Sequence, residues 1–198
     1  RAPRPIGPND QAPQMKSLNK RFAPGANMDI IGGSQLGRML AMAAARLGLK
    51  TSIYNDAPDA PAFQVTPHAT VGAYDDLSKL AAFADACDVV TFEFENLPAH
   101  AIAHLGEHVP VRPGSHALAV TQDRLSEKTF VEKLGLKTAP FFEVSSAQQA
   151  HEAFGKIGFQ AILKTRRFGY DGKGQAKVAS ADETAKAFES FKGAPAIL

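Results

Sequence analysis

Between Ile162 and Gln175 the sequence ILKTRRFGYDGKGQ sets Lys164, Arg166, Arg167 and Lys173 around three glycines, Gly169, Gly172 and Gly174. Glycines at this density let backbone N–H groups approach a ligand closely, and fixed cations at both ends favour a polyanion such as a nucleoside triphosphate. The chemistry on offer is the covering and neutralising of phosphates. Taken alone, the same stretch reads equally as a basic β-hairpin with a flexible turn, and Asp171 within Tyr-Asp-Gly suits such a turn whatever its role.

A second phosphate candidate lies upstream in NMDIIGGSQLGRML, where Gly32, Ser34 and Gly37 stand at the positions of a G-x-G-x-x-G fingerprint. Serine replaces the middle glycine, so the fingerprint is degenerate. Asp56, about 20 residues on, keeps a dinucleotide alternative open through a ribose contact. Glu93 and Glu95 follow the apolar run DVVTF and should share one face at the end of a parallel strand, where they could take sugar hydroxyls or simply be solvated. Arg124 and Lys128, four apart, can point toward a phosphate or pair with Glu127 and Glu132. His100, His104 and His108 recur at four-residue spacing. The first two can share a helical face, but Gly106 and Pro110 should end the helix before His108, so a solvated face is favoured over a metal site.

These groups need elements to hold them. The run ending at Ile30-Ile31, a helix from about Gln35 to Leu47, Gly48, and a strand from Thr51 to Tyr54 make a β-α-β unit with its glycine turn at the helix N-terminus. The alternation continues through Thr70-Val71, a helix from Leu77 to Ala86, a buried strand from Asp88 to Phe94, and a short strand at Val109 to Val111. Arg112-Pro-Gly closes this part. Two helical stretches meeting near Asp123 follow, then a helix from Ala147 to Ile157, a strand from Ala161 to Lys164 entering the glycine loop, a strand from Gln175 to Ala179, and a helix from Asp182 to Phe191. The fold class is α/β: a Rossmann-like parallel-sheet domain over residues 27–120, then the first part of a second domain over 121–198. The pattern is still running at Leu198.

With 198 residues and 44% hydrophobic content, the chain can bury a sizeable core. Residues 1–26 carry five cations against one anion; removing them from totals of 22 and 20 leaves 17 basic and 19 acidic residues. The folded part is therefore not basic, which disfavours nucleic-acid binding. The leader lacks a signal-peptide core and holds five prolines, so it reads as a disordered or non-native extension. No stretch approaches a membrane-spanning length, and Cys87 is the single cysteine, which fits a reducing cytoplasm.

In order, IIGGSQLGRML, DVVTFEFEN, VRPG, QDRLSEKTFVEKLGLKTAPF and ILKTRRFGYDGKGQ resemble the 5-(carboxyamino)imidazole ribonucleotide synthase family of the ATP-grasp superfamily. The resemblance runs from about Ile30 to Leu198. It implies a Rossmann-like domain that binds the ribonucleotide rather than NAD, followed by an ATP-grasp domain. It also implies ATP-dependent carboxylation of 5-aminoimidazole ribonucleotide with bicarbonate, through carboxyphosphate, in purine biosynthesis. Gly33, Ser34, Gln35 and Leu36 would hold the substrate 5′-phosphate, with Glu93 and Glu95 beside the sugar. Arg124 and Lys164 would contact ATP phosphates beneath a cover formed by Gly169, Tyr170, Asp171, Gly172, Lys173, Gly174 and Gln175.

By the same implication, Tyr170 and Asp171 would also face the aminoimidazole, and the catalytic pair would be Asp171 toward the exocyclic amine and Lys173 toward carboxyphosphate. Lys173 stands where the family often has arginine, which keeps the charge but gives up a bidentate fork. The acidic Mg²⁺ ligands, an adenine hinge and further basic contacts are expected beyond Leu198, so no metal ligand is expected here and this stretch alone is not expected to turn over. A cytoplasmic homodimer is the implied assembly. The alternatives are another carboxylate-activating ATP-grasp ligase and a nucleotide-binding module without chemistry. Asp29, inside the first strand, should be at the strand end, paired or protonated.

Overall fold

The computed structural model describes residues 21–169 and 172–198. They form two compact units, one from residues 21–94 with His100–Pro113, the other from Glu95–Ala99 with Gly114–Leu198.

The first unit is built on a parallel sheet of β1 (Met28–Ile31), β2 (Ser52–Asn55), β3 (His68–Val71) and β4 (Val89–Phe92), in the order β3-β2-β1-β4. Register is set by pairs such as Ile30 with Ile53 and Thr91, and Tyr54 with Thr70. Val111 adds a parallel bridge to Val90. Ile30, Ile53 and Val90 are fully buried, as expected for central parallel strands covered on both faces. Three helices make the crossovers: α1 (Gln35–Arg46), α2 (Leu77–Ala84) and α3 (Ala99–His108). Ala41 of α1 packs with Ile30, Ile53 and Ala62, the last from a 3₁₀ turn at Pro61–Val65. Gly37 lies so close to the strand end that a methyl group there would collide with the Gly32 carbonyl.

The sequence spacing predicts α1, β1 and β2 to within a residue. Two expectations fail. β4 stops at Phe92, so Glu93 and Glu95 are not successive residues of one strand face; Glu93 falls in a bend of the first unit and Glu95 in the second. Helix α3 runs through Gly106 to His108, because Ala101, Ile102 and Leu105 bury one face and outweigh a cost of about 1 kcal/mol for the glycine.

The second unit holds an antiparallel sheet in the order β5-β8-β6-β7, from Glu143–Val144, Ala196–Ile197, Ala161–Thr165 and Gln175–Val178. Lys164 pairs with Gln175 and Ala161 with Val178, so the glycine loop closes a true hairpin. Helices α6 (Ala147–Ile157) and α7 (Ala181–Ser190) pack on this sheet through Ala150, Ala153, Leu163, Val178 and Phe188. Ser146 and Ser180 cap them by accepting from the amides of Gln149 and Glu183. Helices α4 (Ser115–Thr121) and α5 (Arg124–Lys133) precede the sheet. Gln122 donates to the carbonyls of Glu95 and Leu97, which fastens the 95–99 segment to this unit and brings the division of the chain to Pro113 and Gly114.

Candidate functional site

In the first unit, Gly32 turns the chain out of β1 with φ of +101°, a backbone state that favours glycine; a Cβ there would come within 2.5 Å of Glu93 Cγ. Ser34 then caps α1, its Oγ accepting from the Leu36 amide at 3.2 Å. Ser34, Gln35 and Leu36 are exposed at this helix start, where N–H groups and the helix dipole suit an anion.

Besides that of Leu36, two more amides of the turn are engaged. Gly33 N–H donates to Asn55 Oδ1 at 2.8 Å, and Ser34 N–H donates to Glu93 Oε1 at 3.2 Å. Asn55 is the organiser that sequence reading missed: its Oδ1 also accepts from the Tyr74 hydroxyl at 2.9 Å, while its Nδ2 donates to Asp56 Oδ1 and the Ala57 carbonyl. Its signal was faint, a polar residue closing an apolar strand. Asp56 is thus tied into the Asn55 network.

In the second unit, a cavity of about 440 Å³ opens beside the hairpin. Pro140, Phe141, Phe159, Ile197 and Leu198 give it apolar walls, and Arg124, Lys128 and Lys164 bring cations to it. Lys128 Nζ donates to the Ala139 carbonyl at 3.3 Å and lies 5.2 Å from the Phe141 ring centre. An apolar slot with clustered cations accommodates a flat base and its phosphates. The aromatic walls were not singled out from sequence, because Phe141 and Phe159 come from separate segments.

The arginines around the glycine loop hold the loop itself. Arg124 donates through Nη1 to the Thr165 carbonyl and through Nη2 to the Gly169 carbonyl, both at 2.7 Å. Arg166 forms a two-pronged pair with Asp123, its Nη2 lying 2.8 Å from Oδ2, and reaches Glu143 at 2.6 Å. Arg167 donates to Gln122 Oε1 at 3.0 Å. Burial pushes the Asp123 carboxyl up, but hydrogen bonding and charge from Arg166, with the amides of Ser126 and Leu125, hold it below the ordinary carboxylate value. Gly172 and Gly174 take φ of +81° and +64°. Phe168 takes φ of +60° with an exposed ring. Lys173 and Gln175 are exposed on the hairpin. Tyr170 and Asp171 lie outside the described residues.

The fit to ATP rests on that cavity and its cations. For Mg²⁺ the case differs: among the described residues, one grouping of three ligand side chains occurs, His104, Glu107 and His108, and it belongs to the first unit. Among the described residues, Glu127 is the one side-chain carboxylate lining the cavity. These residues do not make a Mg²⁺ site.

A ribonucleotide synthetase preATP-grasp domain model matches residues 26–122, and an ATP-grasp domain model matches residues 129–198. The chain is thus of the ATP-grasp class, with its ribonucleotide-synthetase forerunner domain. N5-carboxyaminoimidazole ribonucleotide synthase of Brucella melitensis is 49% identical over 177 residues, covering 88% of this chain and 49% of the relative. The structure of an ADP complex of an N5-carboxyaminoimidazole ribonucleotide synthetase superposes with a TM-score of 0.83 at 38% identity, covering 89% of this chain and 47% of that one. The Aspergillus clavatus enzyme, in complex with ADP and 5-aminoimidazole ribonucleotide, gives 0.78 at 26% identity, with 88% and 46% covered. This chain's close relatives and structural neighbours are N5-carboxyaminoimidazole ribonucleotide synthases, and the chain spans about half the length of the relatives it matches.

Proposed function

We propose that the protein carrying this chain carboxylates 5-aminoimidazole ribonucleotide with bicarbonate at the expense of ATP, in purine biosynthesis. The observation that carries this reading is the 440 Å³ apolar, cation-bearing cavity beside a glycine hairpin, in a chain so similar to enzymes of that name. Bicarbonate is a poor electrophile. Transfer of the γ-phosphoryl group to a bicarbonate oxygen gives carboxyphosphate and ADP; the exocyclic amine then bonds to the carboxyl carbon, the C–O bond to phosphate breaks, and the amine loses a proton. Phosphoryl transfer of this kind depends on positioning and charge neutralisation.

Lys164 takes the ATP phosphates, with Gly169, Gly172, Lys173, Gly174 and Gln175 closing over them. Arg124 serves them by shaping the loop, since its two outer nitrogens hold loop carbonyls. Ser34, Gln35 and Leu36, with the turn at Gly33, receive the ribonucleotide phosphate. Glu93 lies beside that turn and is the favoured sugar contact; Glu95 falls in the second unit, past the end of β4. Tyr170 and Asp171 face the imidazole, Asp171 accepting from the amine and Lys173 countering carboxyphosphate. Mg²⁺ would supply further charge neutralisation at the ATP phosphates, with ligands other than the described residues of this chain. A cytoplasmic homodimer completes the reading.

The test is ADP release by the longer protein containing this chain, with ATP, Mg²⁺ and bicarbonate, with and without 5-aminoimidazole ribonucleotide. Release should depend on the ribonucleotide, and Asp171→Asn should lower turnover sharply while sparing ATP binding. Stimulation by a different acceptor would transfer the assignment to another ATP-grasp ligase, and no ADP under any condition would favour a binding module.

A further inference from the structure

Helix α3 ends on a cluster that the proposed reaction does not use. His104, Glu107 and His108 each offer a ligand atom, and these atoms lie within 4.8 Å of one another. The His104 and His108 rings meet edge to face with centres 4.9 Å apart, one helical turn from each other. Glu107 Oε2 stands 3.7 Å from His104 Nδ1. The cluster exists because α3 continues past Gly106; had it stopped there, His108 would have left the helical face.

Its surroundings favour a cation. His108 belongs to the last turn of α3, where carbonyls point outward and the helix dipole is negative. His108 also lines a cavity of about 410 Å³ together with Asp85 and Cys87, so a second carboxylate opens onto the same space. Metal–nitrogen bonds of 2.0–2.1 Å place neighbouring ligand atoms about 3.3 Å apart in a tetrahedral site. Glu107 and His108 are exposed, so modest side-chain rotation can close the remaining gap. Two imidazoles with a carboxylate suit a borderline divalent ion, whereas Mg²⁺ prefers all-oxygen ligation.

We propose that His104, Glu107 and His108 form a binding site for a divalent transition-metal ion of the Zn²⁺ or Ni²⁺ type, with Asp85 and water available for the open positions. The site is structural. Strands β1 to β4 run parallel and α3 returns antiparallel to them, so its C-terminus stands at the end of the sheet where β4 begins, whereas the Ser34 turn stands at the opposite end, where β1 finishes. A metal there clips the last turn of α3 and is remote from the phosphate turn within this unit. Cys87 is not among the ligands: it lines the neighbouring cavity but lies outside the group of ligand atoms that approach one another within 4.8 Å.

The test is calorimetric titration of Zn²⁺ into the 198-residue chain, free of any histidine tag, with Mg²⁺ titrated separately. One saturable equivalent of Zn²⁺ is expected and none of Mg²⁺. His104→Asn and His108→Asn should each weaken Zn²⁺ binding by at least about tenfold, Glu107→Gln by less, and His100→Asn, His151→Asn and Cys87→Ser should leave it unchanged. Far-UV circular dichroism checks that each variant is folded. As an independent readout, Cu²⁺ bound to the wild-type chain should show hyperfine coupling to two nitrogens. No saturable Zn²⁺ binding, binding indifferent to the His104 and His108 changes, loss of binding in Cys87→Ser, or coupling to a single nitrogen would each overturn the proposal.

Discussion

Asp29 shows how one side chain can load a strand. It is 3% exposed in the middle of β1, and its Oδ1 is buried without a hydrogen-bond partner. Burial raises its pKa to about 6, against the lowering effect of hydrogen bonds with Ser52 and Cys87 and of the His68 charge. The ordinary value is 3.8, so between about pH 4 and pH 6 the folded state binds more protons than the unfolded one. Stability contributed by this group is therefore present below pH 4 and lost as pH rises through 6. Asp29→Asn should flatten that slope and stabilise the chain at pH 7, measured as denaturant midpoints at pH 4.5 and pH 7; a variant with the wild-type slope would show that the carboxyl stays ionised throughout. Arg124 is the second residue whose part is decided by contacts. Replacing it with alanine removes two charge-assisted hydrogen bonds, each contributing about 1.5–3 kcal/mol net, so amide exchange in the β6–β7 loop should accelerate at least tenfold. An unchanged exchange rate would return Arg124 to a purely ligand-directed role.

Helix α1 shows propensity giving way to packing. Gly37→Ala would favour an isolated helix by about 1 kcal/mol. Here the added methyl meets the Gly32 carbonyl at the strand end, so the substitution should cost about 1–3 kcal/mol instead and should widen the phosphate turn. Thermal unfolding decides the sign, and a rise in midpoint would mean that α1 can shift without loss. The same contest explains which elements were legible. Gly32-Gly33 with an apolar run before it and an alanine- and methionine-rich run after it reads as strand, turn and helix. Gly106 and Pro110 argued for an early end to α3, and three buried apolar side chains overruled them. Glu93 and Glu95 were placed on one face by period-two counting, but β4 ends at Phe92 and the counting has no meaning beyond it.

For the whole molecule, the α/β class and the strands that flank the glycine loop were legible in the sequence, but not what the loop's cations touch. Arg166 and Arg167 read as cations of a phosphate cover in a linear string; Asp123, Glu143 and Gln122, which occupy them, lie 23 to 45 residues away along the chain. Such pairings are set by the fold and leave no local pattern. The division into two units predicts separable ligand footprints. A non-hydrolysable ATP analogue should slow amide exchange along β6 and β7 in the second unit, whereas 5-aminoimidazole ribonucleotide should slow it at Ser34 to Leu36 in the first. A footprint shared equally by both ligands would contradict that assignment.

The bond from the Ser34 amide to Glu93 means that the turn carries a carboxylate of its own. Glu93 acts there as an intramolecular competitor at high effective concentration, so a phosphate affinity measured on this chain is an exchange constant between two anions rather than the intrinsic strength of the turn. For the proposed substrate phosphate this sets a threshold: a weakly charged or poorly placed ligand gains too little to displace the carboxylate, while a dianionic phosphate tethered to a sugar gains enough.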